Sequence, residues 1–429
     1  MNIIFNIKGK ILKSEFIKNI FVLITGTSIA QVISILISPI LSRLYTPEDF
    51  GVLALFMSIV SAIAVIASVR YEISIVLPKK DSDAINLLAL SFFFILIISF
   101  LSLLGVLIFN FFLFDTLNIN NRLKNWLYFL PLMVLLLGIY QSLSNWANRK
   151  KKYKSIVFYR VSNSATVSSI NLILGIFKFG AIGLLIGTVF GHLTAITIFF
   201  KKIFNSINSH KKEINKSKMI EMAKVYKEFP LVNSFQAISD MFQINGIIYF
   251  ISYFFCSVVV GTYFYAMKIL QVPMNLIGAA ISQVFYQRSS EIYNDNKSMK
   301  NIVKSTIIKS ALIGLPILLI LLFTGPQLFA FVFGNEWREA GVYASILSPW
   351  IFFDFIRAPI SQIPLIINKQ KKLFILSLIG NAILIISMIY GGLITEDVIK
   401  GFYMLSSLES LFIITIIIWI YKISDCKKQ

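Results

Sequence analysis

Long apolar runs alternate with short, lysine-rich polar stretches along the whole chain. A helix that crosses a bilayer needs about 20 mostly apolar residues. Twelve runs meet that length: 17–41, 50–77, 85–113, 126–148, 156–177, 180–200, 229–253, 257–285, 303–333, 340–366, 373–392 and 398–421. The ninth either runs through to 333 or ends near Phe323, with a re-entrant turn at Thr324-Gly325-Pro326. The longest hydrophilic stretch lies at the midpoint. It divides the chain into an N-lobe (1–200, six spans), a basic cytoplasmic linker (201–228) and a C-lobe (229–429, six spans). The expected fold is therefore an all-α integral membrane protein of twelve transmembrane helices in two six-helix lobes.

An internal repeat supports that division. FGVLALFMSI from Phe50 aligns with VGTYFYAMKI from Val260, pairing Gly51 with Gly261, Met57 with Met267 and Ile59 with Ile269 at one offset. NRKKKY from Asn148 is echoed by NKQKKL from Asn368, at the same end of the fourth span of each half. Each half has an even number of spans, so the two repeats run parallel.

Composition agrees: 57% of the residues are hydrophobic and 14% charged, too apolar for a water-soluble chain of 429 residues. The net charge of +20 raises nucleic-acid binding, but the bases form short clusters between apolar runs and make no basic groove. They report topology instead. Lys8, Lys10, Lys13 and Lys18, Lys79 and Lys80, 149–154, 201–228, Arg288 with Lys297, Lys300 and Lys304, 368–372, and Lys422 with Lys427 and Lys428 all fall on one side. Both termini are thus expected in the cytoplasm. No cleavage site precedes the first run, which should remain as a helix. Within the linker, MIEMAKVYKEF has the spacing of an amphipathic helix on an anionic leaflet, although a solvated connector has equal claim.

The sequence contains no Walker A motif, no HExxH and no paired-cysteine pattern. Cys256 and Cys426 do not suggest a disulfide or a metal site, and no cofactor is expected. The external loops are short, which argues against a membrane polymerase or ligase. What remains is a set of ionisable residues inside spans: Arg70 and Glu72 in the second, Asp240 in the seventh, Lys268 in the eighth, Asp354 and Arg357 in the tenth, and Glu409 in the twelfth. Each would cost roughly 2.5 to 3.5 kcal/mol facing lipid at the bilayer centre, so each should face a cavity or a partner.

Asp354 and Arg357, at i and i+3, can neutralise each other on one helix face. Asp240 and Lys268 lie at similar depth and can pair between helices. Arg160 and Lys309 are expected to snorkel to the inner surface. Asn233, Gln236, Asp240 and Gln243 recur on one face of the seventh span, and Thr27, Gln31, Ser34 and Ser38 repeat the theme in the first, where helix packing is the favoured role. Arg70 and Glu72 are two residues apart and would point about 200 degrees apart on a helix, which excludes a simple pair. With Lys79 and Lys80 beyond Pro78, Arg70 either forms a cationic patch suited to phosphate or snorkels. Glu72 is left to face another helix or exchange a proton.

SRLYTPEDFGVLALFMSIVSAIAVIASVRYEISIVLPKKDSDA, residues 42–84, resembles the N-terminal region of bacterial polysaccharide-export proteins, the O-antigen flippases of the Wzx type. FPLVNSF at 229–235 resembles the opening of that family's second lobe. The resemblance implies a member of the multidrug/oligosaccharidyl-lipid/polysaccharide exporter superfamily, with two lobes around a V-shaped cleft open alternately to each side of the bacterial inner membrane. It implies translocation of undecaprenyl-pyrophosphate-linked oligosaccharide, alongside membrane lipids and the polymerase and chain-length machinery. On that reading Arg70, Lys268 and Arg357 attract pyrophosphate and Asn233 and Gln236 bind sugar hydroxyls. Asp240, Glu72, Glu409 and Asp354 are the candidates for ion coupling. The competing reading is a drug or cation antiporter of the same superfamily, for which Asp240, Asp354 and Glu409 would supply an acidic cavity.

Overall fold

The computed structural model describes residues 2–109, 126–295, 297–367 and 369–425. The end of the third expected span, Arg122, Lys124, Asn368 and the tail from Cys426 lie outside them. The described residues are almost wholly helical: α1 (Asn2–Leu44), α2 (Pro47–Ala64), the single turn α3 (Tyr71–Ser74), α4 (Asp81–Ile108), α5 (Leu130–Arg149), α6 (Tyr153–Ile176), α7 (Ala181–Asn208) and α8 (Lys216–Val225) come first. They are followed by α9 (Ser234–Phe254), α10 (Ser257–Asn294), α11 (Lys300–Phe333), α12 (Arg338–Ile360), the short α13 (Ile363–Ile366), α14 (Gln370–Ile389) and α15 (Val398–Ile423). Among the described residues, eight helices are long and apolar enough to cross a membrane. The other long transmembrane candidates, α6, α9, α10 and α12, carry charged or amide side chains within their length. The ninth run is continuous to Phe333, so the re-entrant turn at 324–326 is not formed. Pro326 stays in the helix, and Gly325 lies against Gly341 of α12 so closely that a side-chain carbon on either would collide with the other's backbone.

The chain forms two compact units, Met1–Ile37 with Leu55–Ile244, and Ser38–Ala54 with Asn245–Gln429. In the first unit, α6 and α7 pack at close range. Gly187 and Gly191 of α7 face the carboxamides of Asn171 and Asn163, leaving no room for a Cβ at either glycine. That is the use of small residues expected where helices associate in lipid. The apolar core below joins Tyr71, Ile85, Leu143, Trp146, Tyr159 and Phe199.

The linker helix α8 docks on this core. Asn215 caps it by accepting from Ser217 N. Met222 is buried, with Met219, Ala223 and Tyr226 packed beside it, and the Tyr71 hydroxyl donates to the Ala223 carbonyl at 3.1 Å. Lys218 meets Asp83 at 2.8 Å, and this hydrogen bond raises the lysine's pKa. The Asn86 side chain donates to Glu213 O and accepts from Asn215 N. Met219, Met222, Ala223 and Tyr226 thus cover protein, so the helix is more than a free connector, while Ile220 and Val225 remain exposed.

In the second unit the residues after α1 turn tightly into α2. Thr46 N donates to Asp49 Oδ2 at 3.0 Å while Asp49 N donates to Thr46 Oγ1 at 3.3 Å, and Pro47 occupies the first helical position. This reciprocal capping box is what the words TPED encode. Phe50 then stacks edge-on to Tyr265 and Trp337, at ring separations of 5.1 and 5.4 Å. Trp337 Nε1 donates to Ser42 O, Ser42 Oγ to Phe333 O and Tyr265 OH to Ser38 O, each at 2.8 Å. These bonds bind residues 38–54 to α10, α11 and the turn before α12.

Each unit has an ion pair at the start of a long helix. In the first, Asp81 at the start of α4 meets Lys150 at 2.5 Å and His210, just past α7, at 3.8 Å. In the second, Lys300 at the start of α11 meets Asp425, just past α15, at 3.0 Å.

Candidate functional site

The second expected span is not one helix. After Ala64 the backbone tightens into successive turns, with Ala67 N bonded to Ala64 O and Val69 N to Ile66 O. Val69 (φ 51°) and Arg70 (φ 63°) are left-handed before α3 resumes at Tyr71. For a β-branched valine this conformation is strained. It is held from both sides. Arg149 donates through Nη1 to the carbonyls of Ile75, Val76 and Pro78, at 3.3, 3.4 and 2.7 Å, and through Nε to Asp81 at 2.9 Å. Tyr71 is tied to the linker as described above.

The unwound turn overturns the expectation that Arg70 and Glu72 cannot pair. Arg70 Nη1 lies 3.4 Å from Glu72 Oε1 and donates to Val65 O at 3.4 Å. The Ser68 hydroxyl donates to Glu72 Oε2. Glu72 is 2% exposed, while the Arg70 side chain retains 21%. Arg70 Nε is buried without a hydrogen-bond partner among the described residues. Backbone that leaves the helix inside a membrane span is tolerated where protein encloses it or where it lines a cavity.

In the second unit, Arg357 donates Nε and Nη2 to the same oxygen of Asp354, at 3.0 and 2.5 Å. Both side chains are partly exposed. Glu409 of α15 is buried and feels the charges of both. The structure thus pairs Asp354 with Arg357 and buries Glu409 within electrostatic reach of them. Lys268 is half-buried on α10 of this unit, whereas Asp240 belongs to the first. Gln236, Asp240 and Gln243 are exposed along α9, and Asn233 sits half-buried in the π-turn that precedes it.

Sequence reasoning undervalued two groups. Arg160 does not reach for the surface; its guanidinium donates to Thr27 Oγ1 of α1. The His192 ring and the Tyr159 hydroxyl share a hydrogen bond of 2.6 Å, and Tyr159 stacks on Tyr140 with centroids 3.7 Å apart. The run of polar residues in α6 was the available signal for both. Among the described residues there is no group of His, Cys, Asp and Glu suited to hold a metal ion.

Solved structures share this fold over nearly the whole chain. An inward-facing multidrug resistance MATE family transporter of the MOP superfamily matches with a TM-score of 0.72 at 14% identity, covering 92% of this chain and 94% of that one. The lipid II flippase MurJ in an inward closed conformation matches with a TM-score of 0.68 at 16% identity, covering 93% and 89%. A MOP superfamily transporter from Pyrococcus furiosus, whose binding pocket is described as reversed in polarity, matches at 0.53 and 13% identity, covering 95% of each chain. No curated protein gave a significant match. At these identities the likeness establishes the fold: the helical, two-lobed architecture of the MOP transporters. The polysaccharide biosynthesis protein family matches residues 40–342, from the end of α1 to the start of α12. The chain is thus a multi-pass membrane protein of the polysaccharide biosynthesis protein family, built on the fold of the MOP transporters and flippases.

Proposed function

We infer that the chain moves undecaprenyl-pyrophosphate-linked oligosaccharide repeat units from the cytoplasmic to the outer leaflet of the bacterial inner membrane. Alternating access driven by an ion gradient would supply O-antigen or capsule assembly. The observation that carries this reading is membership of a polysaccharide biosynthesis family on a transporter fold. Arg70 supports it, because its side chain keeps 21% exposure and a guanidinium suits a phosphate group. Lys268 and Arg357 add positive charge, and Asn233 and Gln236 offer groups that match sugar hydroxyls. Asp240, Glu72, Glu409 and Asp354 are the carboxylates from which the coupling site is drawn. The distribution of basic residues among the loops supports cytoplasmic termini, and a polymerase with its chain-length partner would take up the product outside.

The antiporter reading is weaker. It needs acids free to attract a cationic drug, and Asp354 already carries Arg357. Proteoliposomes loaded with undecaprenyl-pyrophosphate oligosaccharide provide the test. Gradient-dependent appearance of the sugar to a lectin on the opposite face is expected. Export of a cationic dye with no movement of the sugar would replace the flippase by the antiporter.

A further inference from the structure

Arg70 is held, but loosely, by a partner that is itself fixed. Among the described residues, Nη1 meets Glu72 and the Val65 carbonyl, both at 3.4 Å, and Nε is buried without a partner. Glu72 is enclosed and anchored by Ser68. Two residues apart on a straight helix, the pair would not meet. Only the left-handed turn at Val69 and Arg70 brings them together. That turn is braced by Arg149 on the carbonyls of 75, 76 and 78 and by Tyr71 on the linker helix.

We propose that Glu72 is a built-in rival of the translocated anion for Arg70: it occupies the guanidinium when substrate is absent and displaces a phosphate group when substrate is to leave. This rests on the reading of Arg70 as a phosphate contact and adds the element that limits its affinity. A transporter that held pyrophosphate with an uncontested arginine would bind tightly and release slowly. A carboxylate fixed beside that arginine weakens the bound state and speeds release. Glu72 is a positioning residue here, acting through Arg70 and not on the substrate.

The test uses the full-length protein in nanodiscs with undecaprenyl pyrophosphate as the probe, and proteoliposomes for rate. Glu72→Gln is expected to tighten binding about tenfold, the worth of one charge-assisted contact, and to lower both KM and kcat for translocation. Arg70→Ala should weaken binding, and Arg70→Ala with Glu72→Gln should bind no tighter than Arg70→Ala alone. If Arg70→Ala weakens binding but Glu72→Gln binds like the parent, Glu72 is a structural counter-ion and the rivalry is overturned while the flippase reading stands. If Arg70→Ala also binds like the parent, the phosphate role of Arg70 fails, and the rivalry with it. Should Glu72→Gln not fold, Glu72→Asp keeps the charge but withdraws it by one methylene. A smaller tightening is then expected, and unchanged affinity overturns the proposal.

Discussion

Gly51 of α2 and Gly261 of α10 lie against each other, each occupying the space that a side chain on the other would need. They are also the positions that the internal repeat matches. The two helices therefore meet where the residues paired by the alignment have no side chain. The close approach brings Gly51 beside Ser257 O and Gly261 beside Pro47 O, where a Cβ on either glycine would collide with backbone.

Gly51→Val and Gly261→Val should each destabilise the protein by about 1 to 3 kcal/mol through overpacking. The losses should not add, because either change separates the same two helices. Thermal unfolding in detergent measures both; additive or negligible effects would contradict the contact.

Thr46→Ala and Asp49→Ala each remove one half of the capping box and should cost about 1 kcal/mol. The double variant should cost little more than either single change. Thr46→Ser should be close to neutral, since it keeps the hydroxyl that accepts from Asp49 N. Unfolding temperatures of the four variants decide this.

Arg149→Lys should not replace Arg149. One ammonium cannot serve Asp81 and three carbonyls in the plane that a guanidinium spans. Loss of the brace should cost about 1 to 3 kcal/mol and make the 65–78 segment more open to hydrogen exchange. Protection equal to the parent's would show that Arg149 does not hold the turn.

Arg357→Ala leaves Asp354 and Glu409 without their cation and should reduce both folded yield and transport. Arg357→Ala with Asp354→Ala removes the pair together and should recover yield. Glu409→Gln should leave yield near the parent's and diminish gradient-driven transport. Full gradient-driven transport by Glu409→Gln would remove it from the coupling candidates.

Most spans were legible because each is an apolar run closed by charge. The repeat placed Gly51 opposite Gly261 in alignment, but nothing in a sequence says that equivalent positions touch. The break after Ala64 was hidden. SAIAVIASVRYE contains neither glycine nor proline, so nothing announces a left-handed turn, and helical geometry gave the wrong relation between Arg70 and Glu72. Arg149 read as one more cytoplasmic charge because its carbonyl partners lie in the distant 75–78 segment. The linker's amphipathic spacing was real, but spacing alone does not distinguish a protein surface from a lipid one.

The most direct measurement locates the lipid-linked repeat units in a strain lacking this gene. The account predicts that surface polysaccharide is lost and that the units accumulate in the cytoplasmic leaflet. The intact gene should restore export, and the Arg70→Ala variant should restore little of it. Units already in the outer leaflet would point to a polymerase or ligase, and unchanged polysaccharide with new sensitivity to cationic drugs would point to an antiporter; either result would contradict the account.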